Sequence, residues 1–133
     1  MYGLDEWEMY LEHGDEFYRC AKGGFDKPEK FNTDALFNLA AMAIEKMSMG
    51  FLMKNSMMPE GSGFQNLVNS MNEVSPLPSD LEEEIVGLDK FQASFCSLEI
   101  FRPDPVTRKD IPPMLDVCDR LQRYVKANLD LTA

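Results

Sequence analysis

Three sets of side chains in this sequence could do chemistry. The first is Arg102-Pro103-Asp104-Pro105, with Arg108 and Lys109 just beyond. A guanidinium beside a carboxylate on a rigid turn can hold a phosphate. The same string also reads as a helix stop, with Arg102 on the terminal carbonyls. The second is the adjacent pair Glu45-Lys46, set in the most apolar stretch of the chain. It reads as an ion pair reaching outward or as polar ligands in a groove. The third is His13, the only histidine. It could act as a general base near neutral pH or simply be solvated on an acidic helix. Arg120, Arg123 and Lys126 complete the candidate anion patch.

Other chemistries lack their parts. Gly61-Ser62-Gly63 has neither the length nor the lysine of a phosphate-binding loop, and no H-E-x-x-H occurs. A di-iron site would need Glu-x-x-His on two helices. Cys20, Cys96 and Cys118 are an odd number, widely spaced, without C-x-x-C. One histidine cannot complete a usual zinc set with them. We therefore expect no metal and no cofactor. We also expect a reducing, cytoplasmic setting, because the N-terminus has no basic start and apolar run.

The elements that must position these residues are helical. The chain has 133 residues, 44% hydrophobic and 27% charged, which is the composition of one globular domain over 1–133. Leu4, Trp7, Leu11, Gly14, Tyr18 and Ala21 follow three-four spacing and predict a helix over 4–22, ended by Gly23-Gly24. Asn32 or Thr33 should cap a second helix reaching to about residue 54, apolar almost all round. Glu45, Lys46, Asn38 and Ser48 interrupt its apolar run, so it reads as a core helix, not a membrane span. A short helix over 64–74 follows. Ser79 with Glu82 predicts a capping box that opens a long helix to about residue 101. The last helix should start at Asp110, with Pro112 and Pro113 in its first turn. The expected fold is all-α, an up-down four-helix bundle with one additional short helix in the middle connection.

Charge narrows the partners. The net charge is −10 with the histidine neutral. Residues 101–133 carry +1 and residues 1–100 carry −11. That balance argues against binding bulk DNA or RNA, and against an anionic membrane. Ten methionines, with Met42, Met47, Met49, Met53, Met57 and Met58 clustered, read first as core filling. Met49, Met57 and Met58 exceed what a core needs and suggest an exposed apolar surface as well.

Taken in order, these pieces resemble the HEPN family (higher eukaryotes and prokaryotes nucleotide-binding domain) over residues 17–129. The resemblance is carried by Phe37-Asn38-Leu39-Ala40-Ala41-Met42-Ala43-Ile44-Glu45-Lys46, by Gln65-Asn66-Leu67, and by Leu98-Glu99-Ile100-Phe101-Arg102-Pro103-Asp104-Pro105. It implies a four- or five-helix bundle, commonly a homodimer packed through long helices. It also implies one of two activities: metal-independent endoribonuclease, toxins of toxin–antitoxin pairs included, or substrate-binding partner of a minimal nucleotidyltransferase. The ribonuclease motif pairs an arginine with a histidine a few residues on. Here Arg102 matches the arginine, but no histidine follows through Arg108, and Gln65 stands where the short helix often begins with histidine. The leading expectation is thus a non-catalytic binding and dimerisation module. Its implied partners are a nucleotidyltransferase-type protein or a nucleotide near Arg102. The resemblance puts Glu45 and Lys46 by the same groove, giving Arg102, Asp104, Glu45, Lys46 and Arg108 as candidate ligand-binding residues. The alternatives are a ribonuclease with a displaced catalytic set using His13 or Glu45, and a purely structural interaction module.

Overall fold

The computed structural model describes residues 6–59, 61, 63–91 and 105–129, and this part of the chain is all-helical. Helix α1 is Glu6–Phe25, α2 is Thr33–Lys54, α3 is Phe64–Val74, α4 is Ser79–Gly87 and α5 is Ile111–Leu129. A 3-10 turn, Leu88–Phe91, continues α4, and another, Arg108–Asp110, leads into α5. The expected helix 79–101 therefore tightens at Leu88, and its remainder lies outside the described residues.

Helix α2 is the centre of the fold. It packs against α1, α3 and α5, while α4 bridges α3 and α5. Its side chains are apolar nearly all round, and 56% of its most apolar stretch is buried. Asn32 starts it as expected, its Oδ1 accepting from the Ala35 amide at 2.8 Å. Leu36, Ile44, Met47, Phe51 and Leu52 are essentially fully buried and meet Met114, Cys118 and Leu121 of α5 in one core. Phe51 meets Tyr124 edge to face, with ring centroids 5.5 Å apart.

Two glycines let α1 press onto α2. A Cβ on Gly14 would lie 2.8 Å from Met47 Cγ, and one on Gly50 would lie 2.8 Å from Leu11 Cδ2. Gly23-Gly24 does not end α1, contrary to expectation. The helix runs through both to Phe25, and Gly24 instead makes room for the Phe31 ring, whose Cγ would be 2.8 Å from a Cβ there.

The caps also depart from expectation. Ser79 is already inside α4, with Pro78 as the N-cap residue and no side-chain cap. The Glu82 carboxylate instead accepts from Asn72 Nδ2 at 2.8 Å and so ties α4 to α3. The capping box lies before α5, where the Asp110 carboxylate accepts from the Thr107 amide at 2.8 Å and its hydroxyl at 3.0 Å. Those bonds hold the Asp110 carboxyl below its usual range, the backbone bond first. Helix α3 is capped from a distance. Gly63 takes a positive φ of 96°, and Asp89 accepts from the Phe64 amide at 3.0 Å and the Gln65 amide at 3.1 Å.

Candidate functional site

The residues singled out by chemistry separate into different places. Arg102 and Asp104 lie outside the described residues. Arg108 stacks on the Phe25 ring, 4.2 Å from its centroid, and donates to the Phe25 carbonyl. It thereby closes the C-terminal end of α1, where a cation suits the helix dipole. Lys46 lies 4.5 Å over the Tyr10 ring near the other end of α1. Fifteen residues of helix between Tyr10 and Phe25 amount to about 22 Å. Glu45 and Lys46 therefore do not share a groove with Arg108. His13 is exposed on α1.

The basic residues of α5 are mostly committed. Arg120 donates to Asp80 at 3.2 Å and to Glu84 on α4, and its Nε is 2.8 Å from the Asp116 carboxylate. Arg123 pairs with Asp119 one turn back. Of the anion patch read from the sequence, Arg120 and Arg123 are thus paired with neighbouring carboxylates and Arg108 is held by Phe25. Lys109 and Lys126 are exposed and make no ion pair among the described residues.

Cys118 is no nucleophile. Its thiol is buried, lies 3.6 Å from the Ala40 carbonyl, and burial pushes its pKa up to about 12. No group of three or more His, Cys, Asp and Glu side chains among the described residues is arranged to hold a metal.

Two surfaces were not singled out by chemistry alone. One is the outer side of α2. Leu39, Met42, Lys46, Met49 and Met53 recur there at three-four spacing; Met42 is 40% exposed and the others are half-buried. Asn38, Met42, Glu45 and Met49 form its outermost row, with Asn38 and Glu45 exposed. Tyr10 and, two turns along α1, Phe17 flank it, both half-buried. Of the methionines expected to be exposed, Met49 lies here half-buried, Met57 is half-buried and Met58 is exposed beyond α2; Met42 and Met53 emerge only from the helix faces.

The other is a cleft of about 230 Å³ where α1 and α5 diverge over α2. Leu11, Met47 and Val125 line it, and Glu12, Asp15, Gln122 and Lys126 rim it. Gln122 Nε2 donates to Asp15 Oδ1 at 2.7 Å across the cleft. Nothing in the sequence marks these rim residues, because they come from helices more than a hundred residues apart. The chain matches no family model, no curated protein and no solved structure.

Proposed function

We propose that this protein is a non-catalytic helical interaction module that pairs with a second copy of itself through the outer side of α2. The observation that carries this reading is the symmetry of that side about a point between Glu45 and Lys46. An antiparallel two-fold pairing there sets Glu45 against Lys46 of the second copy and Met42 against Met49 of the second copy. Residue 38 then meets residue 53. Such an isologous contact must complement itself, and its two central pairs do so, one in charge and one in apolar character. The three-four spacing of Leu39, Met42, Lys46, Met49 and Met53 is the seam two helices use to pack along each other. A single lysine within that seam would fix the register.

The finer fold description belongs to the same proposal: an up-down four-helix bundle with α3 in the middle connection. The HEPN resemblance adds a nucleotidyltransferase-type protein or a nucleotide as the further binding partner. Sedimentation velocity across a dilution series tests the pairing, with a dimer expected at micromolar concentration. Glu45→Lys places like charges together twice in a two-fold contact and should weaken the dimer at least tenfold. Adding Lys46→Glu should restore it. A chain that is monomeric throughout the series, or a Glu45→Lys variant that dimerises like the parent, would refute the reading.

A further inference from the structure

The cleft between α1 and α5 carries an inference of its own. Its floor is apolar, with Met47 and Val125 each 2% exposed. Its volume of about 230 Å³ exceeds the roughly 150 Å³ cavity that admits benzene and falls below the range of drug-sized pockets. The occupant is therefore a small molecule with an apolar body.

The rim supplies opposite charges from opposite walls. Glu12 projects from α1 and Lys126 from α5, and both are exposed. Among the described residues neither makes an ion pair, with each other or with any other side chain. Asp15, by contrast, is held by Arg19 at 3.0 Å and by Gln122 at 2.7 Å. That bridge ties the two walls together at one end of the cleft, and Arg19 offsets the Asp15 charge, so the anionic group of the α1 wall is Glu12. The antiparallel run of α1 and α5, fixed by Asp15 against Gln122, brings Glu12 opposite Lys126 over Leu11 and Val125. An anionic wall, a cationic wall and an apolar floor match a zwitterion with a hydrocarbon side chain.

We infer that this cleft binds an aliphatic α-amino acid. Its ammonium meets Glu12, its carboxylate meets Lys126, and its side chain lies on Leu11, Met47 and Val125. The cleft opens on the flank of α1 that faces α5, away from Tyr10 and Phe17. Its occupancy is therefore independent of self-pairing through α2.

Calorimetric titration of the full chain with L-leucine tests this directly. Two analogues remove one charge each: L-leucinol has no carboxylate and 4-methylpentanoate has no ammonium. Saturable binding of L-leucine is expected, with each analogue weaker by about tenfold or more. Lys126→Gln should erase the advantage of L-leucine over L-leucinol. Glu12→Gln should erase its advantage over 4-methylpentanoate. Both positions are on the surface, and circular dichroism checks that the helices of each variant are intact. Absence of saturable binding up to about 10 mM, the millimolar end of specific recognition, would overturn the inference. Analogues that bind as well as L-leucine, or well-folded variants that bind as the parent does, would overturn it too.

Discussion

Replacing Gly14 with alanine should destabilise this protein, although alanine is the better helix former. The added Cβ would lie 2.8 Å from Met47 Cγ, 3.2 Å from the Met47 amide nitrogen and 3.3 Å from the Ala43 carbonyl oxygen. The Met47 contact is at Cγ, close to the backbone, and the other two atoms belong to the α2 backbone itself. The helices must part by a few tenths of an ångström, an overpacking that costs roughly 1–3 kcal/mol. Alanine returns about 1 kcal/mol of helix propensity, so the net loss is about 0–2 kcal/mol. Gly23 provides the control. It lies in the same helix, is exposed, and has nothing within 4 Å of a Cβ. Gly23→Ala should therefore gain about 0.5–1 kcal/mol. Both changes restrict the unfolded chain equally, so their difference isolates the contact with α2. At this chain length 1 kcal/mol corresponds to about 3–5 °C in Tm. Thermal melting should move down by up to about 10 °C for Gly14→Ala and up by about 2–5 °C for Gly23→Ala. Two variants that both melt higher would show that α1 does not press on α2 at Gly14.

Two further predictions concern α3 and the thiols. Asp89→Ala removes both side-chain bonds to the first turn of α3 and should cost about 1–3 kcal/mol in denaturant unfolding; an unchanged midpoint would show that the cap contributes nothing. Iodoacetamide at pH 8 should label exposed Cys20 in the folded protein and reach Cys118 only after unfolding, because that thiol is buried with a pKa near 12. Peptide mapping reads the outcome, and equal labelling rates would contradict the packing of α5 on α2.

The sequence made α1, α2, α3 and α5 legible because each carries a long stripe at helical spacing, and Asn32 supplied a local start signal. Its errors came where a residue serves tertiary packing. Gly24 looks like a stop signal, yet it is small to admit Phe31 from the next connection. Ser79 and Glu82 have capping-box spacing, but Pro78 takes the cap position and Asn72 of another helix takes the Glu82 carboxylate. The Asp89 cap on α3 spans 24 residues and has no local signature. Arg108 reads as an anion ligand because it belongs to a basic run. Its partner, the end of α1, is 83 residues away and becomes visible only when the chain is folded. The methionine cluster divided by position: on α2 Met47 is core, Met42 is exposed and Met49 lies between, while Met58 is exposed in the connection after α2.

The two ties from the α5 side to α1 span 83 and 107 residues, Arg108 to Phe25 and Gln122 to Asp15. They grip α1 at its end and near its middle, so the first and last helices of the described chain are laced along one seam. The entropy of closing so large a loop grows only with the logarithm of its length, and one closure serves both ties. Peeling α1 away or undocking α5 therefore breaks both ties at once, while the helix left behind keeps its packing on α2.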